Sequence, residues 1–564
     1  MLLVFALTFL VIIAFQPLLK KYGPQPTTAP QQTQQPQTPA VNANTAPASS
    51  TPTVAVAGVV KQAAGETETI IENDLYRITF TNRGAQVKSW ILKKFDNDEQ
   101  NGPLELVNSV AAQKYGYPLS LWTYDESLRS KLSSLLYVSS HEGTQTAPAD
   151  VTFEYSDQDV SVRKTFHFDH TYVLKLETSV AYKGSQVAAL PAWPSGFGDQ
   201  MTPASYAASL IDYQFNNNVE RLAIKKVGSG NTIPGPFHWA GPLNQYFAAI
   251  FIPDDPNTAA MVTLRNSVQI PRDPQKPDPK EMVPAEVIGA AVGNLRGPTV
   301  ERVFVGPKAL DVLESVQISG ITGTNPDLRG LVDFGWWGII ARPLFLWLKW
   351  TYNHLVANWG WAIILQTLII NIALLPLRIT QMKSMLKMQR VAPQIKSIQE
   401  KYKKYSLRDP RKAAMNEEVA ALYKKEGVNP AGGCLPMLIQ FPFLIAYYRM
   451  LGVALDLRHA HWLWIRDLSG PDPWHILPIA VVLTMLLMQR MTPQTGMDPA
   501  QQKMMNLMMP VMFGVFSWSF AAGLSLYYSV GNLIGIAQQS VINRTDLGRE
   551  IREIMEKRAR KKEK

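Results

Sequence analysis

Amide and hydroxyl side chains interrupt the apolar stretch "GWAIILQTLIINIALLPLR", Gly360–Arg378, which has no formal charge before its last residue. Gln366, Thr367 and Asn371 lie inside it, and Thr367 is one helical turn from Asn371 on the same face. These side chains donate and accept hydrogen bonds and do no covalent chemistry. In lipid they must find partners on other helices or in water.

A second amide lies at the same predicted depth in another apolar stretch. Asn371 is six residues before Leu377, and Gln440 is six residues after Cys434. As helix, either spacing places the amide about 9 Å from the cytoplasmic boundary. The last apolar stretch adds Tyr527, Tyr528 and Asn532. Two interpretations stay open: hydrogen bonds that hold helices together, or a water-filled cavity.

Metal and thiol chemistry have little support in the sequence. In "HFDH", His167–His170, a strand would place His167 and Asp169 on one face and His170 on the other, with no further ligand cluster. The single cysteine, Cys434, excludes an intrachain disulfide and a cysteine-rich metal site. The sequence therefore predicts no metal site.

The charge distribution divides the chain into an acidic part and two basic parts. Residues 22–333 contain 24 Lys and Arg against 31 Asp and Glu, net −7, whereas residues 378–426 contain 13 against 5, net +8. The tail, residues 544–564, contains 9 against 5, net +4. Because Lys and Arg accumulate on the cytoplasmic side of membranes, the basic parts are predicted inside and the acidic part outside.

The N-terminal residues predict a membrane anchor followed by a linker. Met1–Leu19 is uncharged and apolar, with no small-residue cleavage site after it, which favours an uncleaved anchor at residues 1–19. A cleaved signal peptide is the alternative. Residues 20–65 are rich in Pro, Gln and Thr, and such a composition buries too little apolar surface to fold, so a disordered linker is predicted.

Residues 66–330 show the two-residue period of half-buried strands. "LYRITF" (Leu75–Phe80) and "YVLKLETSVAY" (Tyr172–Tyr182) alternate along their length, and "TNRG" ending at Gly84 predicts a turn. No long helical period is present. We expect a largely antiparallel β-sandwich outside the membrane.

The residues after this domain predict a helix that lies in the membrane interface. Residues 334–355 are rich in aromatic side chains, and their two basic residues, Arg342 and Lys349, are seven apart and so share one helix face. A helix with one charged face and one apolar face lies along the membrane surface rather than crossing it.

Apolar stretches within residues 356–543 predict five membrane spans when each basic flank is placed inside. The last two come from 40 uncharged residues, Met504–Asn543, which as one helix would be about 60 Å long, roughly twice the hydrocarbon thickness. A break near Ala521–Gly523 divides them and leaves the C-terminus inside. The predicted spans are residues 359–377, 434–455, 475–491, 504–520 and 524–542.

The basic residues between the first two spans predict a cytoplasmic helical hairpin at residues 378–428. Apolar positions step by three and four on both sides of the turn "SLRDP" (Ser406–Pro410). Its Lys and Arg side chains, like those of the tail, could bind anionic lipid headgroups or RNA phosphates. The alternative is that they form only the solvated basic face that is usual on the cytoplasmic side of a membrane protein. Fifteen of the 20 Met residues lie between Met382 and Met512. This enrichment has two interpretations: a surface that contacts varied apolar partners, or the ordinary abundance of Met in membrane helices.

Seven long motifs carry a family resemblance. They are "NWGWAIILQTLIINIALLPL" (Asn358–Leu377), "VNPAGGCLPMLIQFPFLIAYY" (Val428–Tyr448), "LWIRDLSGPDPWHILPI" (Leu463–Ile479), "DPAQQKMM" (Asp498–Met505), "GLSLYYSVGNLIGIAQQ" (Gly523–Gln539), "WAGPLNQYFAAIFIP" (Trp239–Pro253) and "VFVGPK" (Val303–Lys308). Together they resemble the YidC/Oxa-type insertase family, in its Gram-negative form with a large periplasmic domain.

That resemblance implies a membrane protein insertase and chaperone that is not an enzyme and uses no cofactor. Its core would enclose a hydrophilic groove that is open to the cytoplasm and to lipid and closed to the outside. The implied groove residues are Asn371, Thr367, Gln366, Gln440, Tyr527, Tyr528 and Asn532. The implied apolar surface along which a substrate slides comprises Phe441, Leu444, Met508 and Met512.

The resemblance also implies a location and a set of partners. The chain would be a multi-pass protein of the bacterial inner membrane, with the β-domain in the periplasm and the C-terminus in the cytoplasm. Its partners would be nascent inner-membrane proteins, membrane lipids, the Sec translocon, and the ribosome through the basic hairpin and tail. No specific DNA partner is implied.

One position departs from the family pattern. Members usually carry an arginine in the groove on the first core span, and the aligned residue here is Asn371. Arg378, seven residues on, lies near the same face and about 10 Å lower. It could anchor the helix at the boundary or reach upward and substitute for the missing charge. A groove that depends more on hydration than on fixed charge is the resulting hypothesis.

Two other classes of protein remain as alternatives. A polytopic transporter also places polar groups at mid-membrane, but no Asp or Glu lies in any predicted core span to couple ion movement. An envelope anchor for a carbohydrate-binding β-domain would explain the outer half but not the Met-rich core or the basic hairpin.

Overall fold

A β-rich region and a helical region follow one another along the chain. The computed structural model describes residues 60–216, 218–274, 278–316, 326–405, 409–428, 435–491, 499–546, 548–550 and 553. The predicted anchor (1–19), most of the predicted linker (20–65) and most of the predicted tail (544–564) lie outside these residues.

The β-rich region contains the strands β1 (Glu68–Glu72), β2 (Tyr76–Thr81), β3 (Gln86–Asp96), β4 (Pro103–Glu105), β5 (Ser120–Trp122), β6 (Val138–Ser139), β7 (Gly143–Thr146), β8 (Ala149–Ser156), β9 (Val160–Phe168), β10 (Val173–Tyr182), β11 (Ser185–Gln186), β12 (Leu190–Trp193), β13 (Leu210–Phe215), β14 (Asn218–Ala223), β15 (Asn231–Pro234), β16 (Ala240–Leu243), β17 (Phe247–Pro253), β18 (Ala259–Pro271), β19 (Met282–Asn294) and β20 (Thr299–Pro307). Its short helices are α1 (Ser109–Tyr115), α2 (Glu126–Ser134), α3 (Pro203–Ala207) and α4 (Leu310–Ser315).

These strands form three sheets. Their orders are β4-β3-β2-β1-β7, β14-β13-β16-β17-β20-β10-β9-β8-β6 with β11 beside β10, and β15-β18-β19-β12-β5. Every strand pair is antiparallel except β1 with β7, which is parallel. Strand β7 reaches the edge of the first sheet only after α1 and α2, so no tight turn fixes its direction, and the sheets are largely antiparallel as predicted.

Aromatic side chains join the first sheet to the second. Phe80 of β2 lies 5.7 Å from Phe153 and 4.9 Å from Phe166, measured between ring centroids. Along β10 the residues alternate between buried and partly exposed, as the two-residue period predicts. The turn after β2 needs Gly84, whose φ of 68° lies in the left-handed region. The predicted β-sandwich is confirmed.

One buried cation lies in this β-core. Lys164 of β9 is fully buried, and its Nζ donates to the carbonyl oxygens of Leu119 at 2.6 Å and Ala85 at 2.5 Å. Burial lowers the pKa of Lys164 to about 7. On the exposed face of the same strand, His167 Nδ1 lies 2.8 Å from Asp150 Oδ1.

The helical region follows. Its helices are α5 (Gly338–His354), α6 (Trp359–Ala373), α7 (Leu375–Lys401), α8 (Arg411–Lys425), α9 (Leu435–Val453), α10 (Ile476–Met491), α11 (Pro499–Ser517) and α12 (Ala522–Arg544). Helix α12 packs against α6, α9 and α10, and α5 packs against α6 and α9. The amphipathic helix expected at residues 334–355 corresponds to α5, which buries Leu344 and Leu348 and exposes Ile339.

The first predicted span is bent. Helices α6 and α7 meet at an angle of 47°. Pro376 lies in the first turn of α7 and has no N–H for the carbonyl of Ile372, so one helical hydrogen bond is missing where the bend occurs. The span predicted at residues 359–377 is therefore interrupted at Leu374. Among the described residues no single helix is both long and apolar enough to cross a membrane, whereas α6 and α7 together meet that requirement.

Ion pairs fasten the β-rich region to the helices. Lys349 Nζ of α5 lies 3.2 Å from Asp311 of α4 and 3.3 Å from Asp456, which follows α9. Two residues later, Arg458 donates to the Asp96 carbonyl at 3.0 Å and to Asp98 Oδ1 at 2.7 Å, and only 4% of its side chain is exposed. The short segment after α9 thus contacts both α5 and the loop after β3.

Candidate functional site

Helix α12 lies between α6 and α10 and brings their polar residues together. A Cβ at Gly531 would lie 3.8 Å from Thr367 Cγ2 and 3.9 Å from Asn371 Nδ2, so α6 packs closely there. The next residue, Asn532, turns to α10 and donates to Thr484 Oγ1 at 3.1 Å. Sequence reasoning placed residues from α6 and α12 in one cluster but missed Thr484.

The polar residues farther from the bend between α6 and α7 are buried and paired. Gln366 is fully buried, its Nε2 donates to the Leu344 carbonyl at 3.0 Å, and its Oε1 accepts from Tyr447 Oη at 2.9 Å. Thr367, also fully buried, donates to the Ile363 carbonyl at 2.6 Å. The Tyr447 ring stacks on Tyr527 at 4.1 Å. We name Gln366, Thr367, Tyr447 and Tyr527 the closed layer.

The polar residues nearer the bend are partly exposed. They form what we name the open layer: Asn371, Arg378, Asn532 and Gln538. Asn371 Nδ2 donates to the Thr367 carbonyl at 2.8 Å within its own helix. Arg378 Nη1 donates to Gln538 Oε1 at 2.7 Å, and Gln538 Nε2 donates to the Asn371 carbonyl at 3.1 Å. The predicted cluster therefore divides into two layers with different access.

Arg378 contributes a positive charge to the open layer. No carboxylate of the described residues lies within 4.0 Å of its guanidinium. A guanidinium carries five N–H donors and binds a carboxylate or phosphate through two parallel hydrogen bonds. The open layer can therefore offer charge-assisted hydrogen bonds to an anionic group.

Two predicted groove residues belong to neither layer as defined here, one because of where it lies and the other because its side chain is outside the described part of the structure. Tyr528 is partly buried and turns to α11, where its ring lies 5.6 Å from that of Phe513 at 64°. Gln440 belongs to α9, but its side chain lies outside the described part of the structure. The equal depth predicted for Asn371 and Gln440 stays a prediction.

The predicted slide residues lie at the surface of two helices. On α9, Phe441 is 53% exposed and Leu444 is partly exposed. On α11, Met508 is 50% and Met512 46% exposed. The same helix exposes further apolar side chains that sequence reasoning missed, although their spacing of four signals one face: Leu507, Val511 and Val515.

Gln538 and Tyr447 are the other functional candidates that sequence reasoning missed. Gln538 is an amide within an apolar stretch, the same signal that identified Gln366, so it could have been found. Tyr447 stands in "IAYY" among apolar residues, and nothing in that spacing distinguishes it from its neighbour Tyr448. The packing of α9 on α12 makes the difference, because it turns Tyr447 inward and leaves Tyr448 51% exposed.

Comparison with known proteins adds independent information. The family model described as 60Kd inner membrane protein matches residues 350–549, and the one described as YidC periplasmic domain matches residues 68–347. A membrane protein insertase YidC from Syntrophus aciditrophicus is 32% identical over 528 residues, which cover 90% of each chain. The chain belongs to the YidC family of membrane protein insertases.

Two more YidC proteins are similar to this chain. The YidC of Geotalea uraniireducens is 31% identical over 502 residues, or 84% of this chain and 87% of the relative. A crystal structure of an active YidC insertase with its first transmembrane domain resolved is 18% identical, covers 86% of this chain and 94% of that one, and has a TM-score of 0.35.

Membership in the YidC family decides among the three functional classes. The predicted insertase function and membrane location are confirmed, as is the periplasmic assignment of the β-rich region. The relatives are named membrane protein insertases, and none of those cited is named a transporter or a carbohydrate-binding protein.

Proposed function

We propose that this chain inserts nascent membrane proteins through a groove whose lining is the open layer and whose outer limit is the closed layer. One observation carries the proposal: partly exposed polar residues lie directly beside buried, paired ones. A polar segment of the substrate would enter the open layer, which water and side chains keep polar. The substrate's polar segment would then have a shorter apolar distance to cross. Each polar group left without a hydrogen-bond partner in lipid costs several kcal/mol, so the shorter distance lowers the free-energy cost of crossing.

The apolar part of the substrate takes a different route in this proposal. It follows the exposed side chains Phe441, Leu444, Met508 and Met512 into lipid. Methionine side chains adapt to varied apolar partners, because the thioether chain is flexible and polarisable. No covalent bond changes during insertion, so the chain needs no catalytic group and acts without enzymatic chemistry or a cofactor.

Arg378 supplies the charge of this groove. Its guanidinium is turned to α12 and faces no carboxylate among the described residues, so its charge is left for a substrate. The proposal gives Arg378 the role that the family pattern assigns to the position of Asn371. Hydration of the open layer and the fixed charge then act together.

The topology proposed around this groove has five core spans, formed by α6 with the start of α7, then α9, α10, α11 and α12, and the C-terminus in the cytoplasm. The hairpin of α7 and α8 would meet the ribosome, and the periplasmic domain and core would work alone or beside the Sec translocon. The hairpin presents exposed lysines at Lys383, Lys387, Lys403, Lys404, Lys424 and Lys425. Clustered cations of this kind suit RNA phosphates and anionic lipids.

Site-specific photocrosslinking of a stalled nascent chain tests the groove. A crosslinker at Asn532 should capture the polar segment, while one at the next residue, Leu533, which is 55% exposed, should not. A crosslinker at Met508 should capture the apolar segment. Equal capture of the polar segment from Asn532 and Leu533, or none from Asn532, would contradict the proposal.

A further inference from the structure

Two residues of α12, Gly535 and Gln538, surround the guanidinium of Arg378. Neither belongs to the groove residues expected from the sequence. We propose that Gly535 and Gln538 form a cradle that holds the Arg378 guanidinium in the open layer, and thereby determine how strongly the groove prefers acidic substrate segments. This inference rests on the proposed role of Arg378 as the charge of the groove.

Gln538 is fixed at both ends of its amide. The last turn of a helix leaves carbonyl groups without partners inside that helix, and the Asn371 carbonyl in the last turn of α6 accepts from Gln538 Nε2 at 3.1 Å. With its N–H group so engaged, Gln538 presents Oε1 to Arg378 Nη1 at 2.7 Å. Rotating the amide by half a turn would place acceptor against acceptor and donor against donor. The bend therefore orients Gln538, and Gln538 orients Arg378.

Gly535 provides the space that the guanidinium occupies. It is buried one turn before Gln538, and a Cβ there would come within 2.9 Å of Arg378 Nη1 and 3.1 Å of Nη2. The same Cβ would lie 2.6 Å from Met488 Cε of α10. Contacts this short force something to move. Alanine at this position would crowd the guanidinium and Met488 at once, so the space between these two side chains depends on glycine.

The cradle explains how a charge seven residues beyond Asn371 can serve the same layer. On a straight helix Arg378 would lie about 10 Å below Asn371. The 47° bend and the two contacts with α12 bring the guanidinium back toward Asn371, so that a single side chain, Gln538, bonds both Arg378 and the Asn371 carbonyl. The neutral partner Gln538 holds the cation without cancelling its charge, as a carboxylate would.

A preference for acidic segments is therefore a property of three residues together. A substrate carboxylate that meets a held guanidinium forms charge-assisted hydrogen bonds without first ordering a long flexible side chain. A guanidinium released from the cradle would be drawn to lipid phosphates at the boundary instead. A charge held in this position affects which substrates are selected more than it affects how tightly substrates bind overall.

The test is an insertion assay with two substrates that differ only in whether the translocated segment carries Asp or Asn. The readout is the ratio of insertion of the acidic to the neutral substrate, which a general loss of folding does not change. Arg378→Gln should lower this ratio at least about threefold, since one charge-assisted hydrogen bond is worth more than that. Gln538→Leu and Gly535→Ala should lower it in the same direction. Gln539→Leu is the matched control, because Gln539 bonds Asn543 at 2.8 Å instead, and should leave the ratio unchanged.

Two further variants separate the cradle from the charge. Asn371→Arg places a cation directly in the open layer, so it should restore the ratio in both the Arg378→Gln and Gln538→Leu backgrounds. Gln538→Glu keeps the size of the side chain but neutralises Arg378, and should lower the ratio as far as Arg378→Gln does.

The outcomes distinguish the two claims. If Arg378→Gln lowers the ratio and neither Gln538→Leu nor Gly535→Ala does, the cradle is wrong and the charge of the groove stands. If Arg378→Gln leaves the ratio unchanged, the proposed role of Arg378 is wrong. Failure of Asn371→Arg to restore the ratio in the Gln538→Leu background would also overturn the cradle, because the loss would then have another cause.

Discussion

The rings of Tyr447 and Tyr527 lie 4.1 Å apart between centroids and only 18° from parallel. They join α9 to α12 at the closed layer, and the hydroxyl of Tyr447 extends the contact to Gln366 on α6. Three helices thus meet at one stacked pair and one hydrogen bond. These side chains are buried, whereas those of the open layer are partly exposed.

The hydrogen bond between Tyr447 and Gln366 should matter for stability and not for substrate charge. Tyr447→Phe leaves a buried amide oxygen without this partner, and we expect a loss of about 1–3 kcal/mol in the free energy of unfolding. Adding Gln366→Met removes the stranded oxygen and should recover part of that loss. Thermal unfolding of the detergent-purified protein measures both. A double variant no more stable than Tyr447→Phe alone would contradict this account.

Asn371 should contribute polarity to the open layer without setting its charge. Its side chain bonds only the Thr367 carbonyl in the contacts described above, and its own carbonyl, which holds Gln538, survives any side-chain change. Asn371→Leu should therefore lower insertion of acidic and neutral substrates alike, by roughly twofold to tenfold, about 0.4–1.4 kcal/mol. The insertion assay measures it, with Leu533→Asn as the control for a change in polarity outside the open layer. Full insertion by Asn371→Leu would show that polarity at this level is dispensable.

Arg458 should hold the periplasmic domain more strongly than its partner Asp98 does. Its guanidinium also bonds the Asp96 carbonyl and lies 5.6 Å from the ring centroid of Phe247, whereas Asp98 is about half exposed. Arg458→Ala should raise amide hydrogen exchange at residues 454–459 by roughly tenfold or more, as loss of a charged hydrogen bond implies. Asp98→Asn should raise it less. Equal effects of the two changes would show that the ion pair alone carries the contact.

Lys164 should make the stability of the β-core depend on pH. Its pKa is about 7 in the folded protein against an ordinary value of 10.5, so between these values the unfolded chain binds more protons. Stability therefore rises with pH across this window, by at most about 1.4 kcal/mol per pH unit, and falls as the pH drops toward 7. Urea unfolding of the full-length protein should show a wild-type advantage over Lys164→Met that grows from pH 7 to pH 9. Lys226→Met, at an exposed position, should show no such trend; a constant advantage for wild type would contradict the prediction.

The strands could be predicted from the sequence because each is half-buried, and a half-buried strand must alternate. "YVLKLETSVAY" (Tyr172–Tyr182) indicated β10 to within one residue. The direction of β7 could not be predicted, since its pairing with β1 is set by tertiary packing rather than by a turn. The bend at Leu374 was also missed, because Pro376 near a charged boundary fits the end of a span as well as a break inside one.

The candidate site was predictable in part. Amides in apolar stretches identified Gln366, Asn371 and Asn532 because a polar group in lipid always needs an explanation. Which of them are sealed and which are partly exposed depends on how α5, α9 and α12 pack, and residue spacing carries no such information. The link from Arg378 to Gln538 joins positions 160 residues apart, so only the folded arrangement reveals it.

The segment that follows α9 has a mechanical consequence. Asp456 holds α5 and Arg458 holds the β-rich region, while farther back on the same helix Tyr447 closes the layer above the groove. Sideways movement of α9 must therefore either carry the periplasmic domain with it or break these bonds. A domain of more than 200 residues is thereby fastened close to the helix that carries Tyr447, so the periplasmic and helical regions are coupled at the seal.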